Sequence, residues 1–339
     1  MVLHNKIDAK LLKEELQKSD IPRTTISFYK YHHLSDPQAF RDKLFVEWSN
    51  LGVLGRIYVA KEGINAQLSV PNQNVDLFKA QLDGIDFLKG VRLNCAVDDN
   101  GKSFFKLAIK VREKIVADGI NDPEFDVTKI GVHLDAEEFN ALTDKEDVII
   151  VDMRNHYESE VGHFENAILP DVVSFREQLP MVADLLEDKK DKPLVMYCTG
   201  GIRCERTSAY MLHKGFKEVY QLNGGIINYA NQVRVKGLKN KFHGKNFVFD
   251  ERLGESISNE VIAHCHQCGA VCDHHTNCDN VACNLLFIQC PDCKIKYNNC
   301  CGNECKDIAA LPEEEQQKLR KGKNNGRLVF AKGKKRKTG

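Results

Sequence analysis

The stretch MYCTGGIRCERTSAYMLHKGF carries the residues best suited to chemistry, with Cys198 at its centre. Cys198 ends an apolar run, PLVMYC, and a helical pattern follows it, the position where α/β sheets place their ligand sites. Between them lies the loop Cys198-Thr199-Gly200-Gly201-Ile202-Arg203. Its two glycines let the backbone curl with amide N–H groups turned inward. Those amides, the helix N-terminus and Arg203 together favour an anion at the loop centre. The same field lowers the pKa of Cys198, and the thiolate is the nucleophilic form. A lone cysteine is more often an inert core residue. The Gly-Gly-Ile-Arg context and the strand-end position argue against that assignment here.

Four residues separate Cys198 from Arg203, one fewer than in Cys-x5-Arg phosphatase loops, and the smaller ring suits sulfane sulfur better than a phosphoryl group. This spacing resembles the rhodanese family. A second segment, IIVDMRNHYESEVGHFENAI, resembles the rhodanese stretch in which Asp and Arg follow a core strand and Gly-His-x-x-x-Ala leads onward. Asp152 and Arg154 match, as do Gly162, His163 and Ala167. The resemblance implies that Asp152 braces the architecture and that Arg154 lines the site. His156 and His163 are expected to be packing or surface residues. Cys204 has two readings, a thiol resolving an oxidised Cys198 or a core residue on the first helical turn, and packing is favoured.

The second concentration of chemistry is cysteine itself. Ten of the thirteen cysteines lie between Cys265 and Cys305: Cys265, Cys268, Cys272, Cys278, Cys283, Cys290, Cys293, Cys300, Cys301 and Cys305. In a reducing compartment such density points to metal before disulfides. The C-x2-C knuckles Cys265/Cys268 and Cys290/Cys293 have structural-zinc spacing, and ten thiols suffice for two zincs with ligands to spare. Free thiols are the next alternative, and an iron–sulfur cluster is the weaker third.

These groups must be positioned by more than one core, because 339 residues suit two or three compact domains. RTTISFYKYHHL reads as a strand, Ser35-Asp36-Pro37 starts a helix to about Leu51, and GRIYVA and INAQLSV are strands around Glu62-Gly63. A second helix spans about Asn74 to Leu82, with Val75, Leu77, Phe78 and Leu82 on its apolar side. VRLNCAV and KLAIKVREKIV complete a split βαβ, ferredoxin-like order over residues 1–122, and Asn121-Asp122-Pro123 reads as a linker. Residues 123–242 switch to a doubly wound α/β pattern with buried strands DVIIVDM, PLVMYC and VYQL. The Cys-rich segment spans 243–310 and a basic tail 311–339. Lys+Arg and Asp+Glu balance at 48 each, yet Lys318 to Gly339 contain ten basic and no acidic residues. Such a tail is either a disordered solubilising end or a phosphate-gripping arm. Phe28, Tyr29, Tyr31, His32, His33 and Lys61 are candidates for RNA contact, although strand alternation puts only half of them outside and core packing is the expected role for most. No apolar run reaches the roughly 18 residues needed to span a bilayer, and the N-terminus lacks a signal-peptide core. A cytoplasmic location is therefore expected, and no obligate protein partner is inferred.

CTGGIRCERTS, together with GRIYVAKEGINAQLSVP upstream and GKNFVFDER and HCHQCGAVC downstream, resembles the bacterial tRNA uridine hydroxylase family across nearly the whole chain. That resemblance implies conversion of the wobble uridine of tRNA to 5-hydroxyuridine with molecular oxygen, and an essential cysteine at Cys198. It names no reductant. Residue patterns alone do not imply hydroxylation: there is no Rossmann glycine fingerprint and no clear two-His-one-carboxylate set. Read from the loop alone, the alternatives are a sulfurtransferase carrying sulfane sulfur on Cys198 and a non-catalytic interaction module. The additional domains and the basic tail favour a macromolecular substrate.

Overall fold

A computed structural model describes residues 7–122, 124–322, 328–331 and 334–337. The first unit contains α1 (Ala9–Lys18), β1 (Arg23–Tyr31), α2 (Pro37–Asn50), β2 (Leu54–Ala60), β3 (Gly63–Pro71), α3 (Val75–Asp83), β4 (Asn94–Cys95) and β5 (Leu107–Val111). Its sheet runs β4-β1-β3-β2-β5, the ferredoxin-like arrangement with β5 added parallel to β2. The Asp36 carboxylate accepts from the Ala39 amide at 2.9 Å and Pro37 opens the helix, so α2 begins where its cap dictates. Ile26 and Phe28 of β1 and Ala66 and Leu68 of β3 point at Trp48 and Phe78. The two-residue period then turns Thr25, Ser27, Tyr29, Asn65 and Gln67 to the other face. That polar face is one wall of the site described below. Leu77 does not join the apolar side of α3; it is 58% exposed, because the helix packs through Phe78 and Leu82.

The second unit comprises β6 (Val132–Leu134), α4 (Ala136–Thr143), β7 (Ile149–Asp152), α5 (His156–Ser159), β8 (Gly162–Phe164), α6 (Phe175–Leu185), β9 (Leu194–Tyr197), α7 (Ile202–His213), β10 (Val219–Leu222) and α8 (Gly225–Lys236). A parallel sheet, β6-β10-β9-β7, is fully buried along β9. The expected linker is not a free tether. Pro123 lies outside the described residues, but Asp118 before it is buried and accepts from Lys114 and Arg206, each at 2.6 Å. Val116 and Ile120 pack on the core of this second unit.

The remaining elements are β11 (Phe242–Asn246), β12 (Glu255–Ser256), β13 (His275–Asn277), β14 (Leu286–Ile288), α9 (Pro291–Tyr297), α10 (Asn303–Ala309), α11 (Glu313–Arg320), β15 (Leu328–Ala331) and β16 (Lys334–Lys337). β11 pairs with β8 of the second unit and with β12, so one sheet spans the junction expected at 242/243. The Cys-rich segment shares a core with Tyr157 and Val161 around α5. Part of the basic tail is ordered rather than a free end. Among its described residues β15 runs parallel to β14, with Val329 buried and the Phe330 carbonyl 3.1 Å from His156 Nε2. An apolar Leu-Val-Phe run inside a basic stretch has a surface to cover, which overrides the charge average. Residues 323–327, 332–333 and 338–339 of that tail lie outside the described residues. No described helix is long and apolar enough to cross a membrane.

Candidate active site

Cys198 follows the last residue of β9, and its side chain is 1% exposed. Gly201, with φ +99°, turns the chain from strand into α7, a conformation other residues adopt only with strain. Its amide then donates to Cys198 Sγ at 3.2 Å. The loop is clamped from behind by the start of α8, where the Ile226 and Ile227 amides donate to the Cys198 and Thr199 carbonyls at 3.0 and 3.2 Å. A Cβ on Gly225 would sit 2.5 Å from the Cys198 carbonyl, so only glycine permits this approach.

The electrostatics favour a thiolate. Burial alone pushes the Cys198 pKa up. The donated Cys204 thiol, the Arg203 charge and the Cys204 and Gly201 amides outweigh burial and bring it down to about 6. Cys204 itself is buried and held well above the ordinary thiol range, by burial first and then by Cys198. It therefore packs in the core and hydrogen-bonds the reactive sulfur at once.

Arg203 departs from expectation. Rather than presenting a bare cation to the loop, it forms a bidentate pair with Glu158 of α5, at 2.7 and 2.9 Å, and also reaches Thr199 Oγ1 at 3.3 Å. Glu158 had no sequence signal, since its role arises 45 positions from its partner. Arg154, expected to line the site, is instead fully buried. Its Nε and Nη2 bind Asp152 at 2.9 and 2.6 Å, and Nη2 also donates to the Gly162 carbonyl at 2.6 Å. The Tyr197 and Phe242 rings flank it. Asp152 and Arg154 thus tie β7, β8 and β9 together. Gln178 adds to this brace by donating to the Asp152 and Arg154 carbonyls.

In front of the loop is a cavity of about 220 Å³. Its walls come from three parts of the chain: the polar face of β1 and β3, the Cys198 loop with Ile202 and Arg203, and the segment Val248 to Glu255. Tyr29 donates to Glu205 of α7 at 2.9 Å and Arg206 reaches Glu62 at 3.1 Å, fastening the first unit to the second. Arg56 holds the third wall through the Phe249 carbonyl. Of the proposed RNA-contact residues, Tyr29 lines the cavity, while Phe28 is core and His32 stacks on Phe87. Asn94, Arg252 and Glu255, also lining it, escaped the sequence reading because only folding brings them to Cys198.

The cysteine cluster resolves into two sets. Cys265, Cys268, Cys290 and Cys293 form one group and Cys278, Cys283, Cys301 and Cys305 the other, with the sulfurs of each set within 4.8 Å of one another. A tetrahedral Zn–S bond of about 2.3 Å implies sulfurs about 3.8 Å apart. Cys268 and Cys290 are 3.5 Å apart, Cys283 and Cys301 3.7 Å, and Cys301 and Cys305 3.6 Å. Amides of Cys290 and Cys301 donate to Cys265 and Cys278, as the outer shell of a thiolate site requires. Cys272 and Cys300, named among the ten candidate ligands, fall outside both sets, the surplus that ten thiols for two zincs allowed. Each is buried as an ordinary packing residue.

Residues 23–115 match the UPF0176 acylphosphatase like domain, 135–232 the rhodanese-like domain and 243–306 the rhodanese C-terminal domain. Over 334 residues the chain is 58% identical to the "tRNA uridine(34) hydroxylase" of Pectobacterium carotovorum subsp. carotovorum, covering 98% of this chain and 94% of that one. It is 57% identical to the protein of the same name from Photorhabdus laumondii, covering 99% and 96%. The Leptospira interrogans protein of that name is 54% identical, covering 98% and 90%.

Proposed function

Because the chain belongs to the tRNA uridine(34) hydroxylase family, we infer that it hydroxylates the wobble uridine of tRNA at C5, with molecular oxygen as co-substrate and Cys198 as the essential thiolate. The observation that carries the assignment of Cys198 is its placement: a sulfur with a pKa near 6 at the base of a three-walled cavity. At pH 7 it is mostly ionised. Uracil C6 is electrophilic because it is conjugated through C5 to the C4 carbonyl. Thiolate addition there makes C5 nucleophilic, which is what hydroxylation at C5 needs. A uridine must leave its base stack to reach so buried a sulfur, as in other enzymes that act on a nucleobase. The polar amides of Asn65, Gln67 and Asn94 on the wall suit a heterocycle edge. The reaction would take place in the cytoplasm, where tRNA is modified.

The two four-cysteine sets would hold one structural zinc each, adding stability to a segment with a small core. Both lie apart from the Cys198 cavity.

The test is nucleoside mass spectrometry of tRNA from cells lacking the gene, complemented with the wild type or with Cys198→Ala. We expect 5-hydroxyuridine-derived nucleosides to return only with the wild type. Restoration by Cys198→Ala would remove Cys198 from the reaction. Unchanged wobble nucleosides with altered thionucleosides would redirect the function to sulfur transfer.

A further inference from the structure

Glu255, the first residue of β12, lines the same cavity as Cys198 yet is wholly buried. Its Oε1 accepts from Arg252 Nη1 at 2.6 Å and the Val97 amide also bears on the carboxyl, while Oε2 has no partner within hydrogen-bond distance. A buried carboxyl oxygen left unpaired is costly, more so than the neutral amide oxygen of Asn94 that is also unpartnered in this cavity, so it calls for an explanation. The other titratable neighbours in the cavity are already engaged: Tyr29 with Glu205, Arg203 with Glu158, and Asp250 with Arg252 at 2.9 and 2.6 Å. Of these titratable groups, Glu255 keeps an oxygen without a partner.

We propose that Glu255 is the proton donor to the uracil C4 oxygen when the Cys198 thiolate adds to C6. The inference rests on the thiolate-addition reading above and deepens it. In this step the Sγ–C6 bond forms, and the C5=C6 electron pair moves into C4–C5. The C4=O4 pair moves onto O4, which takes the proton from Glu255 Oε2. No electrons are gained or lost overall. The carboxylate left behind faces Arg252, whose Nη1 already holds its other oxygen. Reversal returns the proton to Glu255 and expels the thiolate. Without a donor, the negative charge would develop on O4 inside a partly apolar cavity, where an unpaired charge is expensive. Burial, opposed by the Arg252 charge, pushes the Glu255 carboxyl up to about 7. A group with that value is protonated often enough at neutral pH to give a proton and basic enough to take it back. Asp250, bound through both oxygens to Arg252, keeps the guanidinium in place and is a positioning residue.

Hydrogen exchange at C5 tests this without oxygen or a reductant. The enol takes a proton from water at C5 as O4 returns its proton to Glu255. The C5–T bond then breaks with tritium passing to water as the enol re-forms, and expulsion of the thiolate restores uridine. The full-length protein is incubated anaerobically with an anticodon stem-loop RNA carrying tritium at C5 of uridine 34, and tritium release to water is followed. The wild type should release tritium and Cys198→Ala should not. Glu255→Gln, which keeps the shape but has no acidic proton, should slow release by about 100-fold or more. Glu255→Asp, with its acid one methylene away, should fall between. The alkylation rate of Cys198 and the melting temperature report whether each variant keeps the fold and the thiolate. Release at the wild-type rate by folded Glu255→Gln and Glu255→Asp would overturn the role of Glu255 while leaving Cys198 addition intact. Absence of release from the wild type would instead overturn the thiolate-addition reading, and this inference with it.

Discussion

Glu158 and Arg203 meet as two parallel hydrogen bonds, Oε1 to Nη1 at 2.7 Å and Oε2 to Nη2 at 2.9 Å, with the carboxylate fully buried. The pair joins α5 to the first turn of α7, beside the reactive loop. Much of the charge expected to cradle an anion is therefore spent on a neighbour before it reaches Cys198. The sulfur relies on the Cys204 thiol and two amides as well.

Removing one partner of such a pair strands the other. Glu158→Gln is expected to cost about 3–5 kcal/mol of stability, the usual penalty for an orphaned buried charge. Chemical denaturation would measure it. In the fraction that folds, Arg203 loses its counter-charge, so the Cys198 pKa should move further down. A variant as stable as the wild type would show the pair to be dispensable.

Alkylation of Cys198 by a small reagent, followed by peptide mass spectrometry, should rise with pH through a midpoint near 6 and then level off. Cys204→Ala removes a donor to the charged form, so the midpoint must move up, by about one unit if that bond contributes about 1.4 kcal/mol. Cys204→Ser retains a donor and should shift it less. A wild-type midpoint above 8 would refute the thiolate assignment.

Metal analysis should find two zinc ions per chain, one for each four-cysteine set. Cys265→Ser and Cys278→Ser should each lose one, whereas Cys272→Ser and Cys300→Ser should keep both. Exhaustive chelation should unfold the Cys-rich segment and lower the melting temperature of the whole chain, because that segment shares a core with α5. Loss of metal on changing Cys272 or Cys300 would contradict the grouping.

Arg154 offers a contrast with Arg203. Arg154→Met should destabilise by about 3–5 kcal/mol, since Asp152 is left buried and unpaired. The folded variant should still alkylate at Cys198 with an unchanged midpoint, because the side-chain hydrogen bonds of Arg154 go to Asp152, Gly162 and Asn246 rather than to the reactive sulfur. A shifted midpoint would return Arg154 to the site.

Local patterns in the sequence determined most of the architecture. Asp36-Pro37 starts a helix because capping is a contact between near neighbours, and the alternation in RTTISFYKY sets which face of the sheet is apolar. The two glycines after Cys198 imply a tight anion-favouring turn for the same local reason. Knuckle spacing pointed to zinc, because two of its ligands always come from one short stretch. Other features depended on residues far apart in the chain, and only the tertiary structure decided them. Whether Arg203 stands free or is paired depends on Glu158, and which cysteines share a metal depends on how two knuckles fold against their partners. Arg154 followed a family pattern into the expectation of a site residue, but burial between two rings made it a brace. The apolar run in the basic tail found a strand to pair with, which no charge count reveals. Above all, the cavity has walls from three separate parts of the chain. Asn94, Arg252 and Glu255 meet Cys198 only after packing, so no spacing in the sequence could have announced them.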